Sequence, residues 1–216
     1  MGASRPGFFV SVEGVDGSGK TTQAGRLAER LKRQGESVTL VRDPGTTRLG
    51  ERVRTQLLDQ PEGAPPAPFA EVALFLAARV QLLREVIEPA LAEGAVVVSD
   101  RYLDSTLVYQ GAGRGLDQTV LLDLHRLLRA DRMPDLTLVL DLPVSSAQSR
   151  SDPTLPPDRM EAEPTAYHER VRQGYLALAT KFPKRIVVLP GTLPLEELAE
   201  SCWRITRERL AARRAT

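Results

Sequence analysis

The sequence predicts an α/β fold in which a parallel sheet of about five strands carries helices on both of its faces. Two observations carry this prediction. Short segments rich in valine and leucine alternate along the chain with longer segments of helical periodicity, which is the order of a parallel sheet with crossover helices. Several of the short segments are continuously apolar, as expected of strands that are buried on both faces.

The individual elements follow from the same periodicities. Strands are predicted at residues 8–13, 37–42, 95–99, 136–142 and 185–189. Helices are predicted at residues 19–34, 48–59, 69–91, 102–110, 117–130, 165–181 and 194–212. Pro89 is expected to kink the end of the third helix, and Gly111, Gly113 and Gly115 are expected to form a turn after the fourth.

Two polar segments rich in proline are predicted to join these elements. Residues 60–68 hold four prolines and a glycine and are expected to be a connection. Residues 150–164 also hold four prolines and are expected to form a mobile lid. With 216 residues, the chain is predicted to form one domain over residues 1–216.

The charge balance argues against a strong attraction to polyanions. The 29 Lys and Arg residues against 28 Asp and Glu residues leave a net charge of +1, so we expect neither a nucleic-acid partner nor a membrane partner. The single cysteine, Cys202, excludes an internal disulfide and suits a reducing compartment. No apolar run reaches the length of a membrane span, and we therefore expect a cytoplasmic protein.

A glycine-rich segment after the first predicted strand carries the clearest functional signal. Residues 14–21 match the pattern G-x-x-x-x-G-K-[ST] between an apolar strand and a helical segment. Such glycines let backbone N–H groups and the start of a helix surround a phosphate, and the lysine adds a mobile positive charge. The sequence therefore predicts a site for the phosphates of a nucleoside triphosphate, formed by Gly14, Val15, Asp16, Gly17, Ser18, Gly19, Lys20, Thr21 and Thr22.

An acid at the end of a buried strand is predicted to share a Mg²⁺ ion with this loop. The hydroxyl of Thr21 is placed to hold the ion, and strand 95–99 runs into Asp100, whose carboxylate can reach it directly or through water. Asp141, in strand 136–142, has the same form and remains an alternative. We favour Asp100, because Arg101 follows it and can neutralise the acceptor of a phosphoryl group.

These motifs resemble those of the bacterial thymidylate kinases over nearly the whole chain. Residues 13–23 resemble the phosphate loop of that family, and residues 100–102 (Asp-Arg-Tyr), with Ser-Thr at 105–106 and Tyr-Gln-Gly at 109–111, resemble its second signature. Residues 42–46 read Arg-Asp-Pro-Gly-Thr where the family usually reads Arg-Glu-Pro-Gly-Gly-Thr. The resemblance implies a P-loop kinase fold, Mg²⁺ with ATP as the phosphoryl donor, dTMP as the acceptor, and a homodimer.

The resemblance also implies which side chains bind the acceptor. Asp16 would contact the 3′-hydroxyl of the sugar, while Arg54 and Arg101 would hold the phosphate. Phe75 and Arg79 lie one helical turn apart, so that the ring can stack on thymine while the guanidinium donates to its edge. The base and its surroundings would be bound by Ser105, Thr106 and Gln110.

The implied catalytic residues lie in the loop, at the strand end and in the lid. They are Lys20, Asp100, Arg101 and Arg150. Arg150 would close over ATP with the lid, whereas Arg159 in the same segment can be either a lid arginine or a structural one. Residues 151–157 contain no arginine, where related lids often carry several.

Two other functions remain open at the level of the sequence. A deoxynucleoside kinase needs a base that takes a hydroxyl proton, for which Asp43 is the candidate, whereas a monophosphate needs positioning and charge neutralisation, which the arginines favour. A regulatory switch that hydrolyses a nucleotide is the second alternative. Because the chain contains no asparagine, it lacks the Asn-Lys-x-Asp reader of guanine, and only an adenine-type switch remains.

Overall fold

A parallel sheet of five strands forms the centre of the protein. The computed structural model describes residues 6–58, 65–150 and 157–215. Within these ranges the strand order is β2-β3-β1-β4-β5, and all four pairings are parallel. The strands are β1 (Phe8–Glu13), β2 (Val38–Arg42), β3 (Val96–Asp100), β4 (Leu136–Asp141) and β5 (Ile186–Pro190). The predicted α/β fold with five parallel strands is confirmed.

Helices follow the strands in the predicted rhythm. In the described ranges they are α1 (Lys20–Arg33), α2 (Arg48–Leu58), α3 (Pro68–Leu82), α4 (Glu88–Ala92), α5 (Leu103–Thr106), α6 (Gln118–Leu127), α7 (Val144–Gln148), α8 (Thr165–Lys181) and α9 (Leu195–Arg214). The predicted bounds of α8 are those observed, whereas α7 was not predicted. Among the described helices, none combines the length and the apolar character needed to cross a membrane.

The core consists of two layers, one on each face of the sheet. Successive side chains of a strand point to opposite faces, so Phe8 and Val10 of β1 pack with residues of α1 and α9, such as Leu27 and Trp203. On the other face, Phe9 packs with residues of the helical segments that follow β2 and β3. Burial on both faces explains why four of the six residues of β1 are large and apolar.

The helical region that holds Pro89 departs from regular α-helix just ahead of the proline. The helix is regular through α4, and the disturbance lies one turn earlier, in a π-helical segment at Leu83–Ile87. There the N–H of Glu88 donates to the carbonyl of Leu83, five residues back. Proline has no N–H and its ring crowds the carbonyl four residues before it, so a wider turn ahead of Pro89 accommodates both effects.

The predicted turn at Gly111 and Gly113 is wrong. A π-helical segment, Leu107–Gly113, extends α5 through both glycines, and of the three glycines in this stretch only Gly115 has a positive φ. Gly113 serves close packing instead, because a Cβ atom there would lie 2.5 Å from the ring of Tyr167 in α8. Helix packing, and not chain reversal, explains this glycine.

Some predicted segments lie partly outside the described residues. Residue 59 of the predicted second helix, residues 60–64 of the connection and residues 151–156 of the lid belong to this group. In the described part, helix α3 already begins at Pro68, the last residue assigned to the connection. Proline is favoured at the first position of a helix, where its missing N–H has no partner to lose.

The carboxyl ends of β1, β2 and β3 meet at one edge of the sheet. Asp100 of β3 pairs with Val12 of β1 on one side and with Arg42 of β2 on the other. The chain segments that leave these strands therefore begin side by side. In open parallel sheets this edge is where ligands bind.

Candidate active site

The loop between β1 and α1 is shaped by three glycines with positive φ. Gly14, Gly17 and Gly19 have φ angles of 143°, 77° and 91°, which side chains disfavour. A Cβ atom on Gly17 would also lie 2.3 Å from the carbonyl oxygen of Ala147. A Cβ atom on Gly19 would meet no atom within 4 Å, so the loop is open on that side. The glycines thus provide the turn and the close approach that a phosphate needs.

Asp100 ends β3 beside the hydroxyl of Thr21 at the start of α1. The Oγ1 atom of Thr21 donates to Oδ2 of Asp100 at 2.5 Å. A hydroxyl and a carboxylate side by side are the hard oxygen ligands that Mg²⁺ prefers. Asp141, the alternative acid, instead accepts from Arg172 at 2.7 and 3.0 Å through its two oxygens. The geometry favours Asp100 over Asp141 as the acid beside the loop.

The amino group of Lys20 lies inside the loop. Its Nζ donates to the carbonyl oxygen of Val15 at 2.7 Å and lies 3.8 Å from Oδ1 of Asp16. Burial and the charge of Arg101 lower the pKa of Lys20 to about 8, although nearby carboxylates oppose the shift. A phosphate in the loop would favour the protonated amine, because it adds negative charge beside it.

Arg101 binds the carboxylate of Asp16 in the glycine loop. Its Nη2 donates to Oδ1 of Asp16, and the hydroxyl of Tyr109 donates to Oδ2 at 2.9 Å. Burial opposes ionisation of Asp16, but the charges of Arg101 and Lys20 outweigh it and hold the pKa of Asp16 well below its usual range. Arg101 has a φ angle of 68°, a conformation that a non-glycine residue adopts at a cost and that is typical of functional sites.

Two cavities meet at this point. A groove of about 850 Å³ runs along the loop past Lys20, Thr21, Thr22 and Asp100. A cleft of about 510 Å³ lies beside it. Its lining includes every residue predicted to bind the acceptor: Asp16, Arg54, Phe75, Arg79, Arg101, Ser105, Thr106 and Gln110. Asp16, Arg54, Arg101 and Asp158 line both cavities, so ligands in the two would meet there.

Arg79 is almost fully committed to protein partners. Its Nε donates to Asp43 at 2.5 Å, and its Nη1 donates to Oγ1 of Thr106 at 2.9 Å. Nη1 also lies 2.6 Å from Nε2 of His125, and Nη2 lies 3.4 Å from the carbonyl oxygen of Tyr102. Four of the five N–H groups of the guanidinium are thereby used, counting partners in the described part of the chain. One N–H group on Nη2 remains for the cleft.

His125 is a member of this cluster that the sequence did not reveal. The ring is fully buried in α6, and its Nδ1 lies 2.6 Å from the carbonyl oxygen of Leu121. Because a carbonyl can only accept, Nδ1 carries the proton and Nε2 accepts from Arg79. Burial and the charge of Arg79 lower the pKa of His125 to about 4, which keeps the ring neutral near pH 7.

Glu13 is a second unpredicted residue. It ends β1 in full burial and accepts from Oγ of Ser105 at 2.6 Å and from the hydroxyl of Tyr175 at 2.8 Å. Burial and the charge of Asp104 raise the pKa of Glu13 to about 7. Ser105 in turn accepts from Nη1 of Arg101 at 3.3 Å, so Glu13 supports a residue of the cleft. An acid at the end of a mostly apolar strand is the signal that could have identified it.

The two lid arginines lie in different surroundings. Arg150 donates to the carbonyl oxygen of Gly191 at 3.2 Å and is not among the residues that line the groove. Arg159 donates through Nε to the carbonyl oxygen of Leu57 at 2.7 Å and forms an ion pair with the buried Glu71. Arg159 thus fastens the described end of the lid to α2 and α3, which indicates a structural role. The lid role of Arg150 stays a prediction.

Known proteins match the sequence over most of its length. The family model described as thymidylate kinase matches residues 12–202. The thymidylate kinase of Deinococcus radiodurans is 44% identical over 203 residues, which are 94% of this chain and 98% of that protein. The thymidylate kinase of Thermomicrobium roseum is 44% identical over 202 residues, which are 93% of this chain and 95% of that protein.

A solved structure matches the fold as well. The crystal structure of thymidylate kinase from Ehrlichia chaffeensis gives a TM-score of 0.74 at 31% sequence identity and covers 93% of this chain and 99% of that chain. The residues that the family model matches include the phosphate loop, the end of β3 and the residues around the cleft. The chain therefore belongs to the thymidylate kinase family.

Proposed function

We propose that this protein transfers the γ-phosphoryl group of ATP to dTMP, which yields ADP and dTDP for the synthesis of dTTP. The observation that carries the proposal is the junction of two cavities at Asp16, Arg54 and Arg101. One cavity follows a phosphate loop, and the other has an aromatic ring and buried hydrogen-bonding groups. Membership of the thymidylate kinase family supports the same reaction.

The acceptor side suits a nucleoside monophosphate better than a nucleoside. A nucleoside hydroxyl must lose a proton to a base, and the candidate base was Asp43. Its carboxylate is buried and lies 2.5 Å from Nε of Arg79, so it is already engaged. A monophosphate has a second pKa of about 6 and is mostly a dianion at neutral pH. Arg54 and Arg101 can neutralise that charge without moving a proton.

The cleft has the chemistry for a thymine base. The half-buried ring of Phe75 can stack on the base, and the remaining N–H of Arg79 can donate to its O4 atom. Thr106 already accepts from Arg79, which leaves its own hydroxyl hydrogen for another acceptor. Ser105 and Gln110 complete the surroundings of the base, and Asp16 lies where it can meet the sugar.

The donor side relies on positioning and on positive charge. The backbone of residues 14–22 would surround the β- and γ-phosphates of ATP, and Lys20 would follow the charge as the group transfers. Arg101 would face both substrates from the junction. In the structure the guanidinium of Arg150 contacts the carbonyl oxygen of Gly191. Arg150 would therefore reach the triphosphate only after the lid closes.

The oxygen atoms of Thr21 and Asp100 would hold Mg²⁺ together with the phosphates of ATP. They lie 2.5 Å apart and are of the type that Mg²⁺ prefers. Within the described residues, no group of three or more His, Cys, Asp or Glu side chains could hold a metal by itself. Phosphate oxygens of ATP and waters would supply the remaining ligands. When bound, the ion would neutralise charge on the phosphates.

The proposal extends to the organisation of the protein. We expect one domain over residues 1–216 with a lid at about 150–164, located in the cytoplasm, where ATP is abundant and where a free buried Cys202 is stable. We also expect a homodimer, supported by the exposed apolar side chains of Leu49 on α2 and Phe69 on α3. Light scattering after size exclusion tests the dimer, and a monomeric mass would refute it.

ADP formation across a panel of acceptors tests the proposed reaction. Purified protein is given Mg-ATP with thymidine, dTMP, dCMP, dUMP or no acceptor. We expect ADP to form rapidly only with dTMP and closely similar monophosphates. Turnover with thymidine would support the deoxynucleoside kinase, and turnover that no acceptor accelerates would support the switch. Either result would refute the proposal.

A further inference from the structure

Glu71 in α3 is a fully buried carboxylate at the back of the cleft. It accepts from Nε2 of Gln110 at 2.7 Å and from Nε and Nη2 of Arg114 at 2.8 and 3.0 Å. Nη2 of Arg159 lies 2.7 Å away in an ion pair that lacks the alignment of a hydrogen bond. Burial opposes ionisation of Glu71, but the hydrogen bonds from Arg114 and Gln110 outweigh it and lower its pKa. Glu71 is therefore an anion that can only accept.

An anion at this position decides the orientation of the Gln110 amide. The NH₂ group of an amide can donate to a carboxylate, whereas the carbonyl oxygen would be repelled by it. Oε1 of Gln110 therefore points away from Glu71, and no group in the described part of the chain donates to it. Gln110 is 1% exposed and lines the cleft. Oε1 of Gln110 is thus available as a hydrogen-bond acceptor in the cleft.

Together, Arg79 and Gln110 give the cleft a fixed pair of hydrogen-bonding groups, one donor and one acceptor. Arg79 has one N–H group left, a donor, and Gln110 has a carbonyl oxygen, an acceptor. Thymine carries an acceptor at O4 next to a donor at N3, and cytosine carries the opposite pair. A mismatched pair in a desolvated site leaves buried polar groups unsatisfied.

We propose that Glu71 is a positioning residue for base selection, which holds the amide of Gln110 with its carbonyl oxygen toward the base. That oxygen accepts from N3–H of thymine and repels the N3 lone pair of cytosine. The proposal rests on the proposed function, because it takes dTMP as the acceptor. Glu71 itself does not touch the nucleotide and acts through Gln110.

Substitution of Glu71 by glutamine is the direct test. A glutamine at 71 can donate its own NH₂ to Oε1 of Gln110, which lets the Gln110 amide turn its NH₂ group to the cleft. Calorimetric titrations with dTMP and with dCMP measure the preference of the protein for dTMP. We expect Glu71→Gln to reduce that preference about tenfold, as the change of one hydrogen bond would. An unchanged preference in a folded variant would overturn the proposal.

Two further variants separate positioning from structural support. Arg114→Lys disturbs another partner of Glu71 but leaves its charge and its contact with Gln110, so the preference should stay as in the wild type. In the double variant Glu71→Gln/Gln110→Leu, the preference should equal that of Gln110→Leu alone, since Glu71 acts through Gln110. A reduced preference in Arg114→Lys, or additive effects in the double variant, would overturn the proposal.

The test remains decisive if Glu71→Gln does not fold. Glu71→Asp keeps the negative charge beside Arg114, but its side chain is one methylene group shorter, so the carboxylate moves away from the amide of Gln110. This variant should also reduce the preference for dTMP. An unchanged ATP titration verifies that a variant is folded. A wild-type protein that binds no dTMP would refute the proposed function, whereas a wild type that prefers dTMP, with variants that keep the preference, would refute only the role of Glu71.

Discussion

Replacing Arg79 with glutamine is predicted to destabilise the fold as well as to weaken acceptor binding. Asp43 is 2% exposed, and its carboxylate lies 2.5 Å from Nε of Arg79. Burial raises the pKa of Asp43, while the charge and the hydrogen bond of Arg79 oppose the rise. Without the guanidinium, the carboxylate would be buried without its positive partner or would have to bind a proton.

The size of the loss follows from the burial of the pair. Removing one partner of a buried ion pair typically costs about 3–5 kcal/mol. In a chain of 216 residues, each kcal/mol lowers Tm by about 2–4 °C, so Arg79→Gln should lower Tm by roughly 6–20 °C. The double variant Arg79→Gln/Asp43→Asn should be more stable than Arg79→Gln, because it leaves no charge buried without a partner.

Scanning calorimetry on the wild type, both single variants and the double variant measures the coupling between the two residues. We expect a double variant that recovers stability but still binds dTMP weakly, since Arg79 would no longer donate to the base. Stability losses that simply add would refute the energetic coupling of Arg79 and Asp43. Recovery of dTMP binding together with stability would refute the role of Arg79 in reading the base.

Three further changes test other parts of the site. Lys20→Ala should abolish turnover and leave a folded protein, because the amine follows the transferring charge; near-normal kcat would contradict this. Phe75→Ala should weaken binding of all pyrimidine monophosphates by about 1–3 kcal/mol, because stacking gives area without base identity; a titration in which only dTMP weakens would contradict it. Folding raises the pKa of Glu13 from its ordinary value of 4.5 to about 7. The contribution of protonated Glu13 to the stability of the fold is therefore complete below pH 4.5 and is lost as the pH rises through 7. At 1.36 kcal/mol per pKa unit the loss is about 3 kcal/mol, and urea unfolding of Glu13→Gln should lack it; equal pH dependence in both proteins would contradict the shift.

The fold was largely predictable because its signals are local. The central strands β1, β3 and β4 are mostly apolar segments that the sheet buries on two faces, and the helices between the strands show their buried faces at helical spacing. The π-helical segments were not predictable, since their residues carry the same helical spacing as an α-helix. The close packing of Gly113 was not predictable either, because its partner, the ring of Tyr167, is more than 50 residues away in the sequence.

The site was predictable where it depends on contiguous residues. The glycine loop and the acid at the end of β3 are such features, and their geometry favours the Thr21 and Asp100 pair. Glu71 and His125 could not be assigned, because each acts on a partner that only the tertiary fold brings near. In the sequence, both are single polar residues in helical segments. Such residues more often lie on a solvent-exposed face or pack in the core than act in a binding site.

The formation of dTDP measures the proposed phosphoryl transfer from ATP to dTMP directly. Purified protein, Mg-ATP and dTMP are incubated, and the nucleotides are separated by chromatography at successive times. We expect dTDP and ADP to appear in equal amounts, and we expect neither to accumulate with the Lys20→Ala variant. ADP formation without dTDP, or dTDP formation that persists in the folded Lys20→Ala variant, would contradict it.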